Sequence, residues 1–306
     1  MIEYRANGKF LLTGEYLVLH GALALALPLK LGQSLTIKTM EISNGIIHWD
    51  AFTPKGFWFS AMIDKHDFSV KASDDLEKTE RLGEIFKVLK ILNPNILTDS
   101  HDYDFTTRLE FDPQWGLGSS STLISNLAAW AEVNPYLVLK ETFGGSGYDI
   151  ACARYKKPLH YNIRNKNPFV DECEFNPPFV DSIYFVYQGH KQSSSKEVKA
   201  FKTKLLDYDF EDEINAVSEI SNILPNVNSF NDFCYLLNIH EDIIASCIAQ
   251  SPLRNQFRDF RGCIKSLGAW GGDFFLAATE WKEQEVLKYF NEKGLTTIFK
   301  YKDIVL

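Results

Sequence analysis

A glycine- and serine-rich segment is the strongest chemical signal in this sequence. Residues 116–122 read GLGSSST and come directly before apolar residues with helical spacing. Glycines let the backbone approach an anion closely, serines supply hydroxyl groups, and the N–H groups and dipole at a helix start attract phosphate. The segment lacks the lysine of a Walker A loop and the third glycine of a dinucleotide-binding fingerprint. It predicts another type of phosphate-binding turn, with a flexible turn capped by serine as the alternative.

Three further segments place a charged side chain beside a short apolar run. Lys9 and Glu15 flank a strand candidate, Asp149 ends the sequence GGSGYD at an expected helix start, and residues 265–273 join two strand candidates. Each segment by itself also fits a structural role, namely solvated strand ends, an aspartate that stabilises a helix dipole, or a hairpin loop. The four segments together favour a functional site.

Apolar periodicity predicts the elements that hold these segments. A period of two over much of residues 10–63 predicts strands, and a helical period over residues 75–92 predicts a helix that ends at an Asn-Pro pair. A strand over residues 105–111 is predicted to lead into the serine-rich segment, and a helix to follow it as far as Asn134. The other expected elements are strands near 183–187, 263–267, 273–279 and 296–301 and helices near 150–154, 195–206, 211–224, 230–249 and 281–293.

The order of these elements indicates the fold class. Strands and helices mix without strict β-α-β alternation, so we predict an α+β fold rather than a doubly wound sheet. Residues 162–178 are rich in Asn and Pro and are interpreted as a loop between domains. The expected domains are therefore an N-terminal one over residues 1–178 and a C-terminal one over residues 179–306, which fits the usual domain length of about 150 residues.

Composition and charge narrow the class of protein. The 306 residues carry a net charge of −8, whereas a general nucleic-acid binder needs a strongly basic face, so we expect no nucleic-acid partner. The five cysteines include no CxxC pair, which favours a reducing compartment. The longest apolar stretch, residues 22–31, is too short to span a bilayer, and the N-terminus does not resemble a signal peptide. We predict a cytoplasmic protein with no membrane partner.

The four segments resemble, in order, the motifs of the GHMP kinase superfamily, named for galactokinase, homoserine kinase, mevalonate kinase and phosphomevalonate kinase. Residues 8–21 resemble its first motif, PGKxxLxGEyxVlxG, although Asn7 replaces the usual proline. Residues 116–122 resemble the second motif, GLGSSA, and residues 268–273 resemble the third, GAGxGG, with Trp270 where glycine is usual. The segment GSGYDIA that contains Asp149 is most similar to the GSG(F/Y)DVA of phosphomevalonate kinases and to a GYDIA-type branch of the superfamily.

This resemblance implies a fold and an activity. The fold would be the two-domain GHMP kinase fold with the active site in the interdomain cleft. The activity would be an ATP-dependent phosphotransferase with Mg²⁺ as cofactor, acting on phosphomevalonate or a similar acceptor in the mevalonate pathway of isoprenoid biosynthesis. A mevalonate kinase, a kinase for another small alcohol and a non-catalytic nucleotide-binding homologue remain alternatives. The expected partner is a small-molecule substrate, and the expected assembly is a monomer or a homodimer.

The resemblance also implies roles for individual residues. Asp149 matches the aspartate that faces the acceptor oxygen as general base or orienting group. Lys9 matches the motif lysine, which would lower the pKa of Asp149 and offset charge on the phosphoryl group. Ser120 matches the serine that ligates Mg²⁺, and the carboxylate partner is left open because Glu132 and Glu141 match its spacing poorly. The residues expected to wrap the ATP phosphates are Gly116, Leu117, Gly118, Ser119, Ser120 and Ser121.

A further set of residues is expected to bind the acceptor. Some belong to the motifs, and others lie in the polar segment after residue 188, which resembles the TGxxxST segment of phosphomevalonate kinases. The set comprises Glu15, Ser146, Gly147, Lys191, Ser194, Gly268, Ala269 and Gly271. The indole of Trp270 is expected to narrow the acceptor cavity or to stack on a ligand.

Overall fold

The computed structural model describes residues 1–41, 43–98, 100–189, 210–270 and 272–306. The described chain forms two compact units that interleave along the sequence. The first unit comprises Met1–Gly8, Leu31–Pro113 and Leu117–Arg154, and the second comprises Lys9–Lys30, Gln114–Gly116 and Tyr155–Leu306. The two expected domains, residues 1–178 and 179–306, stay a prediction.

A twisted β-sheet forms one layer of the first unit. Its strand order is β5-β4-β3-β6-β2, with β3 parallel to β6 and the other neighbours antiparallel. β1 and β2 also pair, and each has its other part in the second unit. The strands are β1 (Ile2–Leu11), β2 (Ala24–Met40), β3 (Ile46–Thr53), β4 (Gly56–Asp64), β5 (Val70–Ser73) and β6 (Asp102–Leu109).

Helices cover the apolar face of this sheet. They are α1 (Leu76–Leu92), α2 (Ser119–Trp130), α3 (Pro135–Thr142) and α4 (Tyr148–Arg154). α1 begins where the Asp75 carboxylate accepts a hydrogen bond from the Lys78 N–H group. The alternation of apolar residues turns Trp49 and Phe105 toward the helices, and the Phe105 ring lies 5.8 Å from Trp49 and 5.2 Å from Phe86 of α1. This aromatic core fixes the sheet against which α2 and α4 lie.

The second unit contains a hairpin and a four-stranded antiparallel sheet. The hairpin of β7 (Leu159–Arg164) and β8 (Asn167–Glu172) pairs through β7 with Ala24–Ala26 of β2. The separate sheet has the order β10-β11-β9-β12. Its strands are β9 (Ile183–Tyr187), β10 (Cys263–Ser266), β11 (Phe274–Ala278) and β12 (Ile298–Lys300), and the helices of this unit are α5 (Glu211–Ile223), α6 (Phe230–Ile248), α7 (Glu283–Glu292) and α8 (Tyr301–Ile304).

The α+β prediction is confirmed, but the loop expected over residues 162–178 is wrong in part. Asn165 and Lys166 both have positive φ angles, 51° and 63°, and form the tight turn between β7 and β8. Pro168 lies in β8, an edge strand, where a missing N–H group is tolerated. Residues 162–172 therefore form a hairpin, and only the residues after it fit the expected loop. The helix expected near 195–206 lies outside the described residues, and none of the helices that are described has the length and apolarity that a membrane span requires.

Candidate active site

The glycine-rich turn at residues 116–118 leads directly into α2. Gly116 and Gly118 have φ angles of 67° and 97°, a region that costs residues with a side chain free energy. Gly118 caps the helix, and its carbonyl oxygen accepts the first helical hydrogen bond from the Thr122 N–H group at 2.9 Å. The N–H groups of Ser119, Ser120 and Ser121 precede that bond and have no carbonyl partner within α2. Such a turn can bind an anion through its backbone.

The hydroxyl groups of this turn divide into two kinds. Ser121 is buried, and its hydroxyl donates back to the Gly118 carbonyl at 2.9 Å. Thr122 is also buried and donates to Gln33 Oε1 at 2.8 Å. Ser120, by contrast, is exposed on the first turn of α2. Ser120 can therefore offer its hydroxyl to a ligand, whereas a contribution from Ser121 would come from its backbone N–H group.

A second glycine-rich turn positions Asp149 on α4. Gly144, Gly145 and Gly147 all have positive φ angles, and the Gly147 carbonyl accepts from the Ala151 N–H group at 3.2 Å. Asp149 is half-buried in the first helical turn, and its Oδ1 atom lies 3.0 Å from the Ile150 N–H group. α2 and α4 pack against each other within the first unit. The structure therefore places the serine turn and Asp149 on adjoining helices, with Ser146 and Gly147 just before Asp149.

Lys9, Gly116 and Gly268 line one small cavity in the second unit together with Asp273. The cavity measures about 10 Å³, which is room for about one water molecule. The Asp273 carboxylate lies so close to Gly116 that a Cβ atom there would be 2.2 Å from Asp273 Oδ2. A side chain at residue 116 would therefore have to displace the Asp273 carboxylate. Asp273 is also largely buried and has a φ angle of 55°.

Asp273 is a candidate that the sequence reasoning missed. The sequence feature that could have identified it is an acidic residue directly after the Gly-Gly pair of the third motif. A buried carboxylate beside a phosphate-binding turn needs a cation to compensate its charge. Lys9 carries a cationic side chain and lines the same cavity.

Glu15 belongs to a group of buried ionisable residues, which we call the buried ionic cluster: Glu15, His240, Glu241 and Lys265. Lys265 forms an ion pair with Glu15 Oε1, and His240 Nε2 lies 3.4 Å from Glu15 Oε2. The same His240 nitrogen accepts a hydrogen bond from the Gly14 N–H group at 2.9 Å. The cluster therefore joins the first motif to α6 and to the strand that precedes the third motif.

Burial dominates the ionisation of the cluster. It raises the pKa of Glu15 from 4.5 to about 7, although the ion pair with Lys265 acts in the opposite direction. Burial and the Lys265 charge hold the pKa of His240 well below its ordinary value, so the imidazole is neutral and its unprotonated Nε2 accepts from Gly14. Burial also raises the pKa of Glu241, which accepts from Ser266 Oγ at 2.9 Å. Glu15 is therefore buried away from solvent, where it helps to hold the first motif against α6 and the strand before the third motif.

Comparison with known proteins identifies the fold. No protein-family model matches the sequence, and no curated protein matches it. The structure is similar to the mevalonate kinase of Methanococcus jannaschii, with a TM-score of 0.71 at 18% identity over 97% of this chain and 96% of that one. It is also similar to the phosphomevalonate kinase of Streptococcus pneumoniae in complex with phosphomevalonate and AMPPNP, with a TM-score of 0.71 at 16% identity over 98% of this chain and 100% of that one.

A third similar structure is the galactokinase of Lactococcus lactis complexed with galactose, with a TM-score of 0.68 at 11% identity over 97% of this chain and 92% of that one. All three belong to the superfamily whose motifs the sequence resembles. This chain has the GHMP kinase fold. At these identities the likeness establishes the fold alone.

The third motif departs from its expected form in this GHMP kinase fold. Trp270 is 2% exposed and packs in an apolar cluster with Tyr16, Leu17 and Ile244. The expectation that its indole narrows a cavity or stacks on a ligand is therefore wrong for this structure, since the ring is part of the core. Gly268 has a φ angle of 59° and Ala269 is buried.

Three of the expected acceptor-binding residues, Gly271, Lys191 and Ser194, lie outside the described residues. Their roles stay predictions.

The described residues offer few possible protein ligands for a metal ion. No three of their His, Cys, Asp and Glu side chains are grouped closely enough to hold a metal ion by themselves. Glu132 follows the C-terminal end of α2, a helix of 12 residues and about 18 Å, so it cannot share a cation with Ser120 at the N-terminal end. Ser120 remains as an exposed oxygen donor.

Proposed function

We propose that this chain is an ATP-dependent phosphotransferase that phosphorylates a small molecule. The observation that carries the proposal is the N-terminal turn of α2, which combines glycines at positive φ, N–H groups without helical partners and the exposed Ser120 hydroxyl. Backbone N–H groups and the helix dipole at such a turn bind phosphate groups. The GHMP kinase fold supports a nucleotide as the source of the phosphate, because one similar structure holds AMPPNP.

The proposed reaction moves the γ-phosphoryl group from ATP to the acceptor. The bond between the γ-phosphorus and its bridging oxygen breaks, that oxygen leaves with ADP, and a new bond forms between the phosphorus and an acceptor oxygen. Residues 119–121 hold phosphate oxygens through their N–H groups, and the Lys9 ammonium offsets the negative charge of the transferring group. Asp149 orients the acceptor oxygen and takes its proton when that oxygen carries one.

Mg²⁺ is the proposed cofactor, with Ser120 as its protein ligand. Mg²⁺ prefers oxygen donors and is commonly held by few protein groups together with phosphate oxygens and water. The exposed hydroxyl of Ser120 fits that requirement, because its neighbours Ser121 and Thr122 use their hydroxyls within the fold. When bound, the ion would neutralise charge on the triphosphate.

Asp273 is proposed to position Lys9. Its carboxylate and the lysine line the same cavity beside Gly116, so it would hold the ammonium group in one orientation.

Phosphomevalonate or a similar acceptor is the proposed substrate. The GSGYDIA sequence around Asp149 and the phosphomevalonate in one similar structure support this choice. Other structures of the same fold are a mevalonate kinase and a galactokinase, so mevalonate and other small alcohols are the alternative acceptors. With phosphomevalonate, the enzyme would act in the mevalonate pathway of isoprenoid biosynthesis in the cytoplasm.

The test is ADP release from ATP and Mg²⁺, with mevalonate, phosphomevalonate, diphosphomevalonate and galactose offered separately. We expect turnover with phosphomevalonate. Its acceptor phosphate is largely ionised at pH 7, so Asp149→Asn should act through lost orientation of the acceptor oxygen and reduce turnover about 10²-fold. The exposed Asp171→Asn variant serves as the control for Asp149→Asn and should retain full activity.

Turnover with a different acceptor would replace the proposed substrate and keep the kinase. Tight ATP binding without transfer to any acceptor would instead indicate the non-catalytic nucleotide-binding homologue.

A further inference from the structure

The second unit contains another, larger cavity of about 280 Å³. It is lined by residues from α6, from the 3-10 turn Leu253–Gln256 with the loop after it, and from the edge strand β10. None of its lining residues belongs to the small cavity around Lys9. We propose that this cavity binds a small organic anion that combines a phosphate or carboxylate group with an apolar part.

Two arginines give the cavity its preference for an anion. Arg254 is held in place, because its guanidinium forms an ion pair with Asp242 and lies 3.4 Å from the Asn238 carbonyl oxygen. Arg258 is exposed and has no ion pair or hydrogen bond with any residue in the described ranges. With Asp242 neutralising one of the two charges, the cavity keeps one positive charge on a protein whose net charge is −8. A guanidinium matches the planar geometry of carboxylates and phosphates.

An amide beside the arginines lacks a hydrogen-bond partner. The side-chain Oδ1 atom of Asn238 is buried, and no partner for it is found in the described part of the chain. A buried polar atom without a partner is costly, and this one is an acceptor. The oxygens of a carboxylate also accept, so the amide would rotate and donate its NH₂ group to the anion.

Aromatic rings supply the apolar wall. Phe257 and Phe260 line the cavity, and both pack into the apolar cluster that contains Phe275 and Phe290. The volume lies just below the usual range for drug-sized ligands, about 300–1,000 Å³, which indicates a metabolite of modest size. A charged group at the arginines and an apolar group against the rings would occupy it together.

The loop that carries the arginines is fixed before a ligand binds. The buried Glu241 carboxylate accepts from the Leu253 N–H group at 3.2 Å and from the Ser266 N–H group at 3.1 Å. The turn is closed further by a 3.0 Å hydrogen bond from the Phe257 N–H group to the Arg254 carbonyl oxygen. A preformed wall lowers the entropy that binding costs.

Calorimetric titration of the full chain with phenyl phosphate, benzoate and benzyl alcohol tests the proposal. AMPPNP and Mg²⁺ are kept in excess so that the turn of α2 is occupied if it binds nucleotide. We expect one equivalent of phenyl phosphate or benzoate to bind and benzyl alcohol not to bind. Arg258→Ala should weaken binding about tenfold, the effect of one hydrogen bond to a charged group. Arg261→Ala is the matched control, because Arg261 is exposed and outside the lining.

The side-chain amide resonances of Asn238, assigned with Asn238→Ala, should shift on titration with the anion. Failure of both anions to bind at tens of millimolar would overturn the proposal, as would equal weakening by Arg258→Ala and Arg261→Ala. Binding of benzyl alcohol as tight as that of the anions would also overturn it. These results do not depend on kinase activity, so they separate this site from the proposed function.

Discussion

The turn at the start of α2 and the buried ionic cluster contain polar groups of opposite kinds. The turn relies on backbone N–H groups and exposes Ser120, and its charge comes from the helix dipole. The cluster has formal charges on Glu15, Glu241 and Lys265, all removed from solvent. The turn keeps hydrogen-bond donors available for a ligand, whereas the charged groups of the cluster interact with one another inside the protein.

This difference separates binding from anchoring. A site that must bind an anion needs donors that the fold does not consume, as at residues 119–121. Each charge of a buried ion pair needs a partner of opposite charge. Removing one partner leaves the other charge buried alone and strongly destabilises the folded protein. Substitutions in the cluster should therefore affect stability first, and substitutions at the turn should affect ligand binding.

The largest expected effect on stability comes from Lys265→Met. The change leaves the Glu15 and Glu241 carboxylates in the core without their cation, and we expect a loss of about 3–5 kcal/mol in the free energy of unfolding. Urea denaturation measures it. The control is Lys157→Met, which breaks an exposed ion pair with Glu174 and should cost at most about 1 kcal/mol. Equal losses in the two variants would contradict the anchoring role.

Gly116→Ala should cost about 2–4 kcal/mol. Part is the strain of a side chain at a φ angle of 67°, and part is the clash with the Asp273 carboxylate. Gly144→Ala isolates the first part, because Gly144 has a φ angle of 69° and a Cβ atom there meets no described atom within 4 Å.

Thermal denaturation measures the stability of both variants and of the double variant Gly116→Ala/Asp273→Ala. The three values separate the backbone strain at Gly116 from the clash with Asp273. The double variant should recover the clash part of the loss. If Gly144→Ala costs as much as Gly116→Ala, close contact with Asp273 is not what requires glycine.

The sequence predicts the site's local parts better than its distant pairings. Strand and helix positions follow from apolar periodicity, and glycines at positive φ follow from the Gly-rich turns themselves. The ion pair between Glu15 and Lys265 joins residues 250 positions apart, and no local pattern encodes it. For the same reason the burial of Trp270 and the contact of Asp273 with Gly116 were not predicted, since both depend on which elements the fold brings together.

The pH dependence of stability should report Glu15. Its pKa rises from 4.5 when unfolded to about 7 when folded, so the folded state binds more protons between these values. The stabilisation is therefore complete below pH 4.5 and is lost as the pH rises through 7. Between pH 5 and pH 8 the wild type should lose on the order of 2 kcal/mol more than Glu15→Gln does.

Subtracting the Glu15→Gln profile removes the opposite contribution of His240, whose lowered pKa favours the folded state at higher pH. Urea denaturation at a series of pH values gives both profiles. Parallel profiles for the two proteins would show that Glu15 keeps an ordinary pKa in the folded state.

The two adjacent serines of α2 provide the smallest and most discriminating comparison. Ser121→Ala removes a buried hydroxyl that donates to Gly118 and should cost about 1 kcal/mol of stability. Ser120→Ala removes an exposed hydroxyl and should change stability by less than about 0.5 kcal/mol, while weakening the binding of nucleotide with Mg²⁺. Thermal denaturation and titration with Mg²⁺ and AMPPNP measure the two quantities separately. The opposite pattern, in which Ser121→Ala alone weakens nucleotide binding, would assign the ligand-binding hydroxyl to the buried serine and remove Ser120 as the metal ligand.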